Sequence, residues 1–249
     1  MSGALHFDSD AMRVQLNRTR DSVARNFLFK HGYNSSSFAL PDFYVPTGFE
    51  SMNLERIVWG VSNTSKLLPS EPINLVAPKG AVGWRRFSLL HPYAYWHIVT
   101  ELTSVDAWPT VRERLGRPTG VASYTVPSFR MTEKTTQGAN ISSWLRFAEQ
   151  NLIADASTFS HLAITDVQNF YPSVYTHSLA WAVNTRPVIK ANQKNTRDYV
   201  GNRIDRLFQS AHHNQTNGIR HRWLCINWIS IASRHGLSGH RYRDNQRFK

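Results

Sequence analysis

Little in this sequence constrains it covalently. Among 249 residues there is a single cysteine, Cys225, so no intrachain disulfide framework exists and a reducing compartment, the cytoplasm, is expected. No apolar run reaches the length of about 18 residues that a membrane-crossing helix needs, so no membrane span is expected. The first residues, MSGALHFDSDAMRV, lack a basic segment followed by an apolar one, and no secretory signal is expected. Acid is scarce: 17 Asp and Glu stand against 29 Lys and Arg, a net charge of +12. No two aspartates are adjacent anywhere in the chain, and no internal repeat is found. Such a basic balance favours an acidic partner, of which nucleic acid is the commonest.

The charge is unevenly spread. From Arg220 onward there are seven Lys and Arg and one acid, Asp244. The apolar content of 41% is ordinary and gives the chain enough material for a sizeable core.

Met12 to His31 reads as one helix, with Val14, Leu16, Val23, Phe27 and Leu28 as its apolar face and Gly32 as its stop. Arg18, Arg20, Arg25 and Lys30 suit phosphate contacts, though a solvated helix face is the simpler reading. A loop at Asn34 to Ser37, an extended stretch at Phe38 to Phe49 and a helix over Ser51 to Leu68 follow. Leu75 to Ala77 reads as a strand, turned by Pro78, Lys79, Gly80 and Gly83. Trp84 to Leu90 reads as the returning strand and Tyr93 to Leu102 as a helix. The hairpin carries Arg85 and Arg86, which alternation sends to opposite faces. Arg112 to Phe129 is punctuated by Gly and Pro and reads as a boundary or insertion. Asn140 or Ser142 suits the cap of a helix running to Leu152.

Leu162 and Ile164 alternate as in a buried strand, and Asp166 stands where that strand ends. A carboxylate there reaches a cleft while its backbone stays anchored; an Asp there is equally suited to cap a following helix. Phe170, Tyr171, Val174, Tyr175, Ser178, Leu179 and Ala182 recur at helical spacing. A polar linker from Asn184 to Val200 and a helix over Tyr199 to Ser210 complete the pattern. His212 and His213 are adjacent, face apart on any regular element and lack a third ligand, so no metal site is expected there.

The run Asp166-Val167-Gln168-Asn169-Phe170-Tyr171-Pro172-Ser173-Val174-Tyr175-Thr176-His177-Ser178 resembles the first catalytic-aspartate motif of reverse transcriptases. Its form is similar to the bacterial abortive-infection and defence-associated type. Three other stretches stand in the order that family needs. Pro78-Lys79 with Arg85 to Pro92 resembles the fingers hairpin. Gly201-Asn202-Arg203-Ile204-Asp205 resembles a segment between the palm motifs. Gln215-Thr216-Asn217-Gly218-Ile219 resembles the start of the next motif.

The resemblance implies an α+β fold holding the fingers and part of the palm of a right-hand polymerase, with the catalytic hairpin missing. It divides the chain into an N-terminal helical region (1–70), a fingers-like region (71–135), a partial palm (136–219) and a basic tail (220–249). It implies nucleotidyl transfer to a nucleic-acid 3′ end, with template, primer and deoxynucleoside triphosphates as partners and phage defence as the role. Two Mg²⁺ ions would assist, held through hard oxygen ligands: the Asp166 carboxylate and the Val167 carbonyl. Tyr171 would be the sugar gate, although it also suits plain core packing. Lys79 and Arg86 would neutralise the triphosphate, with Arg85 replacing Arg86 if the hairpin register differs. Gln215 and Gly218 are carried over as nucleotide-binding.

After Ile219 the family pattern has Pro; this chain has Arg220, then a tail without the later Tyr/Phe-x-Asp-Asp turn. So abrupt a change of composition is expected of a reading-frame shift or truncated product, with a genuine basic, nucleic-acid-binding tail as the other reading. Little or no catalysis by this chain is expected, because one carboxylate does not hold two ions. A palm lacking its central strands leaves edges and apolar faces uncovered, so poor solubility or self-association is expected. The rival functional class is a non-catalytic basic protein that binds nucleic acid or a partner. A metal-dependent nuclease would need more clustered carboxylates.

Overall fold

A computed structural model describes residues 9–29, 33, 69–79, 83–116, 149–150, 153, 156, 161, 174–192 and 198–218. The expected loop, extended stretch and helix between Asn34 and Leu68 lie outside these residues. So do the helix cap at Asn140 or Ser142, the strand before Asp166, and the tail after Gly218.

The N-terminal segment forms two helices rather than one: α1 over Ser9–Arg18 and α2 over Asp21–Phe27. The break has a tertiary cause. The Thr19 carbonyl accepts hydrogen bonds from Trp108 Nε1 at 2.9 Å and Arg112 Nη1 at 3.2 Å. Thr19 N–H turns back to the Leu16 carbonyl at 3.0 Å, and Arg20 is extended, with φ −76° and ψ 154°. The rotation introduced there splits the expected apolar face. Leu16, Phe27 and Leu28 are buried, whereas Val14 and Val23 are exposed. Arg18 and Arg20 are exposed. Arg25 instead ties α2 to the next helical pair, donating from Nε to Thr103 Oγ1 at 2.9 Å and from Nη2 to the Thr103 carbonyl at 2.7 Å.

Strands β1 (Ile73–Lys79) and β2 (Gly83–Leu89) form the expected antiparallel hairpin, longer on the first arm than apolar residues alone indicate. Among the described residues each strand is paired along one edge only, and an edge strand is where Pro78 is tolerated. The approach to β1 is pinned: Ser70 N–H donates to the Ser210 carbonyl at 2.8 Å, and its own carbonyl accepts from His213 N–H at 2.9 Å. After β2, the His91 side chain caps helix α3 (Pro92–Leu102) by accepting from Tyr93 N–H at 3.3 Å. Pro92 lies in the first turn, where its missing N–H leaves no bond unmade.

Helix α4 covers Ala107–Gly116, so the first five residues of the Gly- and Pro-punctuated stretch expected from Arg112 are helical, and the rest of that stretch lies outside the described residues. Helix α5 covers His177–Asn184. Val174 and Tyr175, expected on its face, precede it in extended form, because their backbone pairs with residues 216–218 instead. The expected polar linker holds a short helix, α6 (Arg186–Ala191). Thr185, at φ 65°, turns the chain between α5 and α6, and Pro187 suits the first turn of α6. Helix α7, Val200–Ser210, matches its expected span.

One apolar cluster unites these helices. It includes Leu16 and Leu28 from the N-terminal segment, Tyr95 and Ile98 of α3, Trp108 and Val111 of α4, Leu179 of α5, and Ile204 and Phe208 of α7. Described residues from 1–70, 71–135 and 136–219 therefore share a core. Arg203 of α7 adds a polar clasp, bonding Glu101 Oε1 at 2.6 Å and Asp106. Burial disfavours the Arg203 charge, but the Glu101 bond and the two carboxylates outweigh it and raise its pKa. Asp106 lies below the usual carboxylate range, chiefly because the Ser104 hydroxyl donates to it at 2.7 Å.

Two phenols make the core sensitive to alkali. Tyr95 donates to the Leu28 carbonyl at 2.7 Å and Tyr33 to the Leu90 carbonyl at 2.8 Å, with their rings 5.1 Å apart. Burial pushes Tyr33 up to about 12 and Tyr95 well above 10, with Tyr33 adding to the latter by charge repulsion. Folding thus favours the neutral phenols. Their stabilisation is complete below the unfolded value of about 10 and is lost as pH rises toward the folded values. Stability is expected to fall by about 1 kcal/mol per phenol per pH unit above about pH 10. Tyr33→Phe should flatten that slope while lowering neutral-pH stability by about 1 kcal/mol. Melting temperatures recorded from about pH 9 to about pH 11.5 test this; an unchanged slope in the variant would refute it.

Candidate functional site

The region around α5 brings together three stretches that are far apart in sequence. The Thr176 N–H donates to the Thr216 carbonyl at 2.8 Å, and the Gly218 N–H donates to the Val174 carbonyl at 2.9 Å. Tyr175 and Asn217 form an isolated antiparallel bridge between these bonds. Gly218 has φ 90°, a conformation that a side chain strongly disfavours. The segments Val174–Thr176 and Thr216–Gly218 therefore lie side by side.

The third stretch enters through α7. Val200, Gly201, Ile204, Asp205 and Phe208 are buried along one side of it. An aspartate on such a face needs partners, and Asp205 has two. His177, the first residue of α5, bonds Asp205 Oδ2 through Nδ1, and Gln209 Nε2 donates to Asp205 Oδ1 at 2.8 Å. The carboxylate is only 5% exposed, whereas the imidazole is 39% exposed. Gln209 Nε2 also stands 3.5 Å from His177 Nδ1. Since the short carboxylate contact requires a proton on Nδ1, Nδ1 donates to Asp205 and the longer approach is not a bond. The partner of Nδ1 thereby fixes the tautomer, leaving Nε2 to accept when the ring is neutral and to donate when it is charged.

Aromatic and cationic groups continue from this dyad. The Tyr175 ring meets His177 edge-on at 4.7 Å and lies 6.1 Å from Trp181. The Arg186 guanidinium sits 5.2 Å from the Trp181 ring centre. Further along α5, Gly201 packs directly on the backbone at Ala180, and its N–H donates to Asn184 Oδ1 at 2.7 Å.

Of the residues singled out from sequence, Asp166, Val167 and Tyr171 lie outside the described residues. Gln215 is exposed and Gly218 buried, both beside the Tyr175 segment. In the hairpin, Lys79 pairs with Gly83, Ala77 with Arg85 and Val76 with Arg86. Because cross-strand partners share a face, positions 79 and 85 lie on one face of the ribbon and position 86 on the other. Trp84, on the face of position 86, is 72% exposed. His212 is buried, its Nδ1 bonded to the Phe208 carbonyl at 2.8 Å, while His213 is exposed. Among the described residues no three His, Cys, Asp or Glu are grouped to hold a metal.

Sequence reasoning gave His177 and Asp205 no role and passed over Gln209, Trp181 and Arg186. A usable signal existed for two of them. Asp205 and Gln209 are four apart on a helix, where such pairs interact, and Asp205 falls on the apolar stripe.

Among the described residues no helix is long and apolar enough to cross a membrane. No protein-family model and no curated protein matches the chain.

Proposed function

We propose that the chain is a reverse-transcriptase-like nucleotidyl-transfer protein, built to hold a template, a primer 3′ end and a deoxynucleoside triphosphate, and acting in the cytoplasm in phage defence. The observation that carries this reading is the joining of separated stretches. Val174 to His177, Asp205 and Thr216 to Gly218, all within motifs on which the resemblance rests, meet through backbone bonds and the His177–Asp205 pair. The basic hairpin supports it as a clamp on polyphosphate, with Lys79 and Arg85 sharing a face by register.

Asp166 and the Val167 carbonyl would hold Mg²⁺, which supplies charge neutralisation at the transferring phosphate. The residues present do not complete a two-ion set. Asp205 already has both oxygens engaged, and the sequence has no Asp-Asp pair. The chain alone is therefore expected to bind nucleotide in a Mg²⁺-dependent way yet incorporate almost none. Titration of a labelled deoxynucleoside triphosphate with and without Mg²⁺ tests this. Asp166→Ala should weaken the Mg²⁺-dependent affinity by roughly tenfold or more, since even outer partners of a metal are worth that much. No nucleotide binding under either condition would sink the reading.

The net charge of +12 favours a second reading, a non-catalytic basic protein that binds nucleic acid or a partner. Salt-sensitive binding of single strands without any nucleotide binding would select it.

A further inference from the structure

The surface made by α5 and α6 is a candidate for an activity that the aspartate motif does not supply. From Tyr175 to Asn192 the sequence contains His177, Arg186 and Lys190 and no acidic residue. Helix α6 buries none of its residues, and Arg186, Val188 and Lys190 are exposed. The core gives no reason for such a helix to lie flat on the surface. Beside it runs a continuous line of ring contacts: Arg186 on Trp181, Trp181 near Tyr175, Tyr175 against His177. Tyr175 is 40% exposed and is held from behind by the bridge to Asn217. The imidazole is fixed by Asp205 at Nδ1, leaving Nε2 for an outside partner.

Rings with accessible faces, interleaved with cations, have a specific chemical complement. Unpaired bases stack on aromatic rings, and the phosphates between them are neutralised by adjacent Arg and Lys. A duplex offers phosphates but hides its base faces. An acidic protein would satisfy the cations and leave the rings unused. An anionic lipid surface would want a broad apolar face, which α6 lacks.

We infer that Tyr175, His177, Trp181, Arg186 and Lys190 form a binding surface for a single-stranded polynucleotide, with bases on the rings and phosphates on the cations. It requires neither Asp166 nor a metal.

The test is anisotropy of labelled oligo(dT) and oligo(U) on the full chain in EDTA, across about 50 to 200 mM salt. Each neutralised single-strand phosphate contributes about 0.7 to the slope of log affinity against log salt. Arg186→Ala with Lys190→Ala should therefore reduce that slope by about 1.4. Both residues are exposed on a helix that buries nothing, so the fold should survive, as a melting curve will show. Arg18→Ala with Arg20→Ala removes the same charge elsewhere and should leave the slope unchanged. Tyr175→Ala should weaken single-strand binding about tenfold, the low end of base–aromatic stacking, while Tyr175→Phe stays near the parent. Duplex affinity should be indifferent to both. No single-strand binding by the parent overturns the inference. So does an equal loss in the two arginine-containing pairs, or binding to phosphatidylserine vesicles in place of oligonucleotide. Because EDTA removes Mg²⁺ and no nucleotide is added, failure of the nucleotidyl-transfer reading would not register in this measurement.

Discussion

Gly201→Ala is expected to lower the melting temperature by roughly 4–8 °C, which for a chain of this size corresponds to about 2 kcal/mol. Two effects oppose each other. Alanine in a helix is intrinsically better than glycine by about 1 kcal/mol. Against that, a Cβ at position 201 would stand 2.8 Å from the Ala180 Cα, 2.8 Å from the Ala180 carbonyl oxygen and 2.8 Å from Asn184 Oδ1. Two of those atoms are α5 backbone and cannot rotate away, so α5 and α7 must separate. Overpacking of that kind costs about 1–3 kcal/mol or more, and the bond from Gly201 N–H to Asn184 is strained as well. Gly116 provides the control. Its added Cβ would meet only the end of the Asn17 side chain, at 2.6 Å from Oδ1, and Asn17 is exposed. Gly116→Ala should thus be neutral or slightly stabilising. Equal melting shifts for the two variants would refute the account.

That contrast bears on how much of the fold can be read from the chain. Local patterns were legible. The hairpin followed from short apolar runs around Pro78, Gly80 and Gly83, and α7 from apolar spacing over 200–210. His91 and Pro92 marked the start of α3. Elements fixed by distant partners were not legible. The break after Arg18 depends on Trp108 and Arg112 reaching the Thr19 carbonyl, and nothing between Met12 and His31 signals it. Val174 and Tyr175 keep helical spacing with Ser178 and Leu179, yet pairing with 216–218 holds them extended. Helix α6, six residues long, is too short to generate periodicity.

The candidate site divides in the same way. Asp166 stood out because a carboxylate at a strand end has a local signature, and its neighbours carried the resemblance. The hairpin cations were legible as residue types, but which arginine position shares the face of position 79 depended on register, and the pairing of Ala77 with Arg85 sets it. The His177–Asp205 dyad joins two residues 28 apart and has no local signature at all. Its aromatic neighbours, exposed Tyr175 and half-buried Trp181, line one surface only through the placing of α6 beside α5.

His177→Ala is expected to destabilise the fold by about 2–3 kcal/mol, more than Asp205→Ala, for which about 1–2 kcal/mol is expected. The asymmetry comes from what each change leaves behind. Without the imidazole, the Asp205 carboxylate stays buried with Gln209 as its remaining partner, and breaking a buried pair from one side strands the other charge. The figure stays below the full range for a buried pair because His177 is partly open to water, which screens the interaction. Without the carboxylate, the partly exposed imidazole is able to hydrate, and the change mainly removes one bond and some packing. The double variant, with both groups gone, removes the stranded charge as well. It should exceed Asp205→Ala alone by no more than about 1 kcal/mol, so the cycle returns a coupling of about 1–3 kcal/mol. Denaturant midpoints of the four proteins at neutral pH measure this directly. Additive losses would mean that the dyad is not the tie between α5 and α7. In that case the alignment of the Tyr175 segment with Thr216 would have to rest on its backbone bonds alone.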